Sequence, residues 1–181
     1  FYNQYLTQDK TSVFLQSLKE VEKKYSWEDV YSNVIKFSEE ISKYIKKGDR
    51  CLLISENRPE WLISDLSIML SGGITVPAYT TYTERDYEYI IDDCSPTVLI
   101  ISDKTQYLKV KNIISKKKFI KKIIFFDVIE GFNKELQVYI KEIFANKNFS
   151  LLNFSEVKIQ RKDVACIIYT SGTQGNPKGV I

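Results

Sequence analysis

The sequence predicts an α/β fold: an open, mostly parallel sheet with helices on both faces. Three observations carry this. Short solid apolar runs recur along the chain, segments of helical periodicity lie between them, and the runs are apolar throughout rather than alternating. Parallel strands covered by helices on both sides read that way. A chain of 181 residues suits one domain, and folding at this size buries roughly 70% of the surface the unfolded chain exposes.

In order along the chain, Val13, Phe14, Leu18, Val21 and Tyr25 recur at helical spacing and predict a first helix. A second carries Trp27, Val30, Tyr31, Val34, Phe37, Ile41, Tyr44 and Ile45 on one face, with Ser26 as N-cap, Glu28 and Asp29 in the first turn and Gly48 past the end. Then the period changes. RCLLIS (50–55), ITVPAY (74–79), TVLIIS (97–102), KIIFFD (122–127) and VACIIY (164–169) predict strands. Between them, Pro59 suits a first helical turn that Gly72 and Gly73 end, and Thr83 with Asp86 forms a capping-box pattern for a helix bearing Tyr87, Ile90 and Ile91. Residues 103–118 and a stretch around Glu135 to Phe144 predict two further helices.

Composition removes several classes of chemistry. With no histidine, a Ser-His-Asp or Cys-His constellation cannot form in this chain, and a zinc site lacks its commonest ligand. Cys51, Cys94 and Cys166 are odd in number and widely spaced, which reads as reduced intracellular thiols packed as small apolar residues. The formal charge of +3 comes from 26 basic and 23 acidic residues, too even a balance to argue for a nucleic-acid partner. The lysine run SKKKFIKK (115–122) reads as a solvated helix end. Glu56, Arg58 and Glu60 follow the first predicted strand, where Arg58 beside Pro59 would fix a turn through ion pairs; no catalytic role is assigned to them. No apolar run has the length of a membrane span and no signal peptide opens the chain. Phe1 stands where a complete protein would begin with Met, so the chain reads as a piece of something longer.

The densest chemistry lies in TSGTQGNPKG (170–179), directly after the last predicted strand. In open α/β sheets ligands sit beyond the carboxyl ends of the strands. Gly172, Gly175 and Gly179 permit close backbone approach, Thr170, Ser171 and Thr173 offer hydroxyls, and Lys178 offers a positive charge. A polyphosphate is the natural ligand of such a loop. Its spacing is not that of a Walker A loop, because Asn176 and Pro177 separate the lysine from the preceding glycine and no Ser or Thr follows it. The plainer reading is a polar hairpin between two strands with a solvated lysine; ten consecutive residues in this order favour the phosphate loop.

YTSGTQGNPKG resembles the phosphate-binding signature of the adenylate-forming superfamily, which includes acyl-CoA synthetases, luciferases and peptide-synthetase adenylation domains. SWEDVYSNVIKFSEEI, KGDRCLLISENRPEWLISDLSIMLSGGITVPAY and EYIIDDCSPTVLII are similar to the amino-terminal pattern of long-chain fatty acyl-CoA synthetases in order and approximate spacing. The resemblance spans about residues 26–181 and implies the amino-terminal part of the large domain of such an enzyme, so that residues 1–181 form a single partial domain. It implies ATP-dependent activation of a long-chain fatty acid to acyl-AMP and then acyl-CoA, with ATP, Mg²⁺ and coenzyme A. Thr170, Ser171, Gly172, Thr173, Gln174, Gly175 and Lys178 would hold the ATP phosphates, and Thr170 would approach the magnesium ion. Gln174 departs from the pattern, standing where the family usually has threonine. The family's adenine motif, metal-binding glutamate and catalytic lysine lie downstream of Ile181, so no catalytic residue is expected here and residues 1–181 alone should not turn over. The complete protein would sit in the cytoplasm or be held peripherally on the cytoplasmic face of a membrane. Activation of another carboxylic acid and a non-catalytic nucleotide-binding module remain the alternatives.

Overall fold

A computed structural model describes residues 1–17, 23–129, 137–146, 157–170 and 177–181. A short helix α1 (Tyr2–Thr7) leads into two antiparallel strands, β1 (Val13–Gln16) and β2 (Lys24–Ser26). These replace the helix expected from the spacing of Val13 to Tyr25. Phe14 stacks on Trp27 at 4.1 Å and Leu15 pairs with Tyr25 across the ribbon. Aromatic and β-branched side chains packed on a neighbouring helix favour the extended form here. Leu18 and Val21, which completed the helical spacing, lie outside the described residues.

Helix α2 (Trp27–Ser42) starts as the sequence suggests. The Ser26 hydroxyl accepts from the Asp29 N–H at 3.1 Å and the Asp29 carboxylate accepts from the Ser26 N–H at 2.9 Å, which satisfies two of the helix's orphan donors. After it, β3 (Arg50–Ile54), α3 (Pro59–Leu70), β4 (Ile74–Ala78), α4 (Glu84–Cys94), β5 (Val98–Ile101), α5 (Lys104–Ile114) and β6 (Lys122–Phe125) alternate. Pro59 opens α3, and Gly72 at φ +77° turns the chain from α3 toward β4. Thr83 and Asp86 form the expected capping box. The helix predicted over 103–118 runs only from Lys104 to Ile114, with Asp103 as its cap. The end of the chain supplies β7 (Gln137–Tyr139), α6 (Ile140–Ala145), β8 (Ile168–Thr170) and β9 (Lys178–Val180). The helix expected around Glu135 to Phe144 is thus split: Gln137 to Tyr139 pair in parallel with β6 and the helix begins only at Ile140, while Glu135 lies outside the described residues.

The central sheet is parallel, in the order β4-β3-β5-β6-β7. Its strands alternate between two cores. Leu52, Ile54, Leu99, Ile101, Ile123 and Phe125 face α4 and α5, whereas Cys51, Leu53, Val98, Ile100 and Ile124 face α2, α3 and α6. The lysine run is not all solvated. Lys122 is buried in β6 with its ammonium 5.3 Å from the Tyr44 ring centre, Lys121 donates to the Tyr44 carbonyl at 3.1 Å, and Lys117 pairs with Asp92. Long aliphatic stems let lysines pack while their heads find partners.

The last predicted strand is also corrected. Residues 164–169 do not join the sheet as a full strand. They touch β4 through one parallel bridge, in which the Thr75 N–H donates to the Ala165 carbonyl at 3.0 Å and the Ile167 N–H to the Thr75 carbonyl at 2.9 Å. On that edge of β4 the next donor would be residue 77, which is a proline. Proline has no N–H, so the ladder stops there.

Candidate phosphate-binding site

Past that bridge, Ile168 to Thr170 form an antiparallel ribbon with β9. Its register pairs Ile168 with Val180, Tyr169 with Gly179 and Thr170 with Lys178. Directly opposed residues project on the same side of a ribbon, with Cβ atoms typically about 5 Å apart. Thr170 and Lys178 therefore stand together at the mouth of the loop, and both are exposed. Ser171, Gly172, Thr173, Gln174 and Gly175, which complete the predicted set, lie outside the described residues. Of the predicted site, the structure brings together one hydroxyl and one ammonium at the two ends of the loop. A hairpin and a phosphate loop are not exclusive readings, since the β8–β9 register sets Thr170 beside Lys178 in either case.

The opposite side of the ribbon faces the protein. Tyr169 is 3% exposed and packs in the core beneath α4 and α5. Its phenol donates to Asp93 on α4 at 2.5 Å, and its carbonyl accepts from the Tyr82 hydroxyl at 3.2 Å. Burial first, then the bond to Asp93, pushes the Tyr169 phenol well above its ordinary range, so it remains protonated. Gly179 lies across this ring. A Cβ added there would come within 3.3 Å of the Tyr169 ring and 2.9 Å of the Ile167 side chain. Gly179, read from sequence as room for a ligand, is first of all room for Tyr169. Sequence reasoning missed Tyr82 and Asp93, which stand 87 and 76 residues from Tyr169; no local pattern connects them.

Beside the ribbon a cleft of about 310 Å³ separates α4 from Pro177 and is lined by Arg85, Asp86, Glu88, Tyr89 and Asp92. Among the described residues no group of three or more His, Cys, Asp or Glu could hold a metal ion. The Thr170 hydroxyl and the Lys178 ammonium suit phosphate oxygens, and the hydroxyl also suits a hard cation bridged to them. The cysteines have no such role. Burial pushes the Cys94 thiol up to about 12 and the Cys51 thiol higher still, so both stay neutral.

A second polar group occupies the carboxyl ends of β3 and β6. Arg58 donates to Glu60 at 3.0 Å and to Asp127 at 3.1 Å, lies 3.8 Å from Glu56, and shares Glu60 with Lys23, whose ammonium is 2.9 Å away. These residues line a cavity of about 520 Å³ with Asn57, Gln16 and Ser17. Burial alone would raise the Glu60 carboxyl, but Lys23 and Arg58 outweigh it and hold the group below the usual carboxylate range. Burial alone would lower Arg58, and its contacts with Asp127 and Glu60 reverse that. The group joins the turn after β3 to β6, as expected of Arg58 from its place beside Pro59. A third cavity of about 510 Å³, mostly apolar, lies between Phe1, Tyr31 and α3 before β4, and none of the predicted site residues lines it.

The family described as AMP-binding enzyme matches residues 3–181. Long chain acyl-CoA synthetase 2 of Arabidopsis thaliana is 31% identical over 170 residues, covering 87% of this chain and 25% of the relative. A long-chain-fatty-acid–CoA ligase of Mycobacterium tuberculosis is 28% identical over 139 residues, covering 77% and 23%. This chain thus spans about a quarter of the length of the curated relatives it matches. Among solved structures, an anthranilate CoA ligase in complex with anthranoyl-AMP superposes with a TM-score of 0.77 at 20% identity, covering 98% of this chain and 33% of that one. At that identity the likeness speaks for the fold alone.

Proposed function

The chain belongs to the AMP-binding enzyme family, and from that premise we propose that the complete protein activates a long-chain fatty acid at the expense of ATP. The acid's carboxylate attacks the α-phosphorus of ATP, giving acyl-AMP and pyrophosphate. The thiol of coenzyme A then displaces AMP to give the thioester. The observation that carries this reading is the pairing of Thr170 with Lys178 at the mouth of a loop rich in hydroxyls and glycines. Around it stand relatives that are long-chain synthetases.

The part played by this segment is positioning and charge stabilisation of the leaving pyrophosphate. Lys178 neutralises the β- and γ-phosphates, and Ser171, Thr173 and Gln174 donate to their oxygens. Magnesium, when bound, would spread the remaining phosphate charge, with Thr170 the residue that approaches it. No covalent bond to the protein is needed.

Reversal of the first step requires acyl-AMP, so the complete protein should exchange labelled pyrophosphate into ATP only when a fatty acid is supplied. Residues 1–181 alone should show none. Exchange without an acid, or exchange by the 181-residue segment, would sink this reading.

Gln174 offers a smaller check. Gln174→Thr in the complete protein should leave the KM for ATP unchanged or lower it, within the roughly 0.5–1.5 kcal/mol net value of one hydrogen bond. A rise of about tenfold or more would mean that the glutamine makes a specific contact that threonine cannot.

A further inference from the structure

We propose that Asp93 and Tyr82 are positioning residues for Thr170, acting through Tyr169; this rests on the phosphate-binding reading of Thr170 and Lys178. The strand that leads into the loop is fixed at three successive points. Thr75 holds the backbone at Ala165 and Ile167, Asp93 holds the Tyr169 phenol, and Tyr82 holds the Tyr169 carbonyl. The residue after the last anchor is Thr170.

The anchors are themselves held. The ring of Tyr82 meets Tyr79 and Tyr87 edge to face, with centres 5.4 and 6.0 Å apart. Tyr87 is fully buried and donates to the Tyr79 carbonyl at 2.8 Å, with Gln106 at 3.2 Å from its hydroxyl. Lys109 of α5 donates to the carbonyls of Thr80 at 2.7 Å and Tyr82 at 3.1 Å. A continuous series of contacts thus runs from α5 through the turn after β4 to Tyr82, Tyr169 and the first residue of the loop. Asp93 reaches the same tyrosine from α4. Gly179 closes the arrangement, because only a residue without a side chain lets β9 lie flat on the Tyr169 ring.

Donors that stabilise a leaving group work only where they are already in place, and a displacement of about 1 Å can cost a hundredfold. Loss of these anchors should therefore register in the use of ATP rather than of the acid. In the complete protein, Tyr169→Phe removes the phenolic bond at constant volume. The kcat/KM for ATP in pyrophosphate exchange should fall roughly threefold to thirtyfold, with KM for the fatty acid unchanged within about twofold. Asp93→Ala should fall as far, and the double variant no further, because both remove one bond. Asp93→Asn, which keeps an acceptor oxygen, should recover part of the loss. Tyr82→Phe acts on a different atom, and its loss should add to that of Tyr169→Phe.

Lys178→Ala serves as the reference. If it behaves as wild type, the phosphate-loop reading falls and this proposal with it. If it is impaired while Tyr169→Phe and Asp93→Ala keep wild-type kcat/KM for ATP, the proposal alone is overturned. Losses that multiply in the double variant, or that fall equally on ATP and fatty acid alongside a lower melting temperature, also overturn it, because they describe a merely structural contact.

Discussion

Glu60→Gln should weaken the protein around α3 by about 3 kcal/mol at neutral pH, the lower end of what breaking a buried ion pair costs. The side chain of Glu60 is 6% exposed and answers both Lys23 and Arg58. Glutamine keeps the shape and leaves those two cations with less compensation, although Arg58 retains Asp127 at 3.1 Å. The pH dependence gives the sign. Folding holds the Glu60 carboxyl below its unfolded value, burial being outweighed by Lys23 and Arg58. Its contribution is therefore complete above about pH 4.3, the usual glutamate value, and is lost as the pH falls through the folded value. Hydrogen exchange of the α3 amides in the complete protein reads this locally. The gap between wild type and variant should be full at pH 7 and should close below about pH 4. An unchanged exchange rate at pH 7, or a gap that widens in acid, would contradict the account.

Lys178→Ala should lower kcat/KM for ATP roughly tenfold to a hundredfold, corresponding to about 1.5–3 kcal/mol for a charge-assisted phosphate contact retained in the transition state. Lys178 is exposed and opens β9, and its pairing with Thr170 is made by main-chain groups that alanine also has. The loss should thus be chemical rather than structural, and Lys178→Arg should restore part of it by keeping the charge. Initial rates of pyrophosphate exchange at varied ATP test this directly. Full activity in the alanine variant would remove the lysine from the role assigned to it.

Much of the frame was legible because its signals are local. Ser26 and Thr83 each mark a helix start three residues before the N–H they accept, and Pro59 opens a helix at a position where its missing N–H costs nothing. Four of the five predicted strands are in the parallel sheet because solid apolar runs of that length have few other uses. The fifth was misread, although the correction was present in the sequence: Pro77 interrupts the edge that residues 164–169 would have joined. The first predicted helix failed for a different reason, since apolar spacing over so short a stretch fits a ribbon packed on Trp27 as well as a helix. In the candidate site, Thr170 and Lys178 follow from the motif alone. Tyr82 and Asp93 do not, because what joins them to Tyr169 is the crossing of the chain in space, after β5, α5, β6, β7 and α6 have intervened.

The alternation of the central strands between two cores bears on how this sequence can drift. Among the described residues, the β8–β9 ribbon finds its apolar support in the core beneath α4 and α5, through Ile167 and Tyr169. A change at Leu52, Ile54 or Leu99 is therefore judged twice, once for stability and once for where it leaves the ribbon. A change at Cys51, Leu53 or Val98, one residue away on the same strands, is judged for stability only. Selection should thus act unevenly within single strands, with alternate positions free to exchange one apolar residue for another while their immediate neighbours are held.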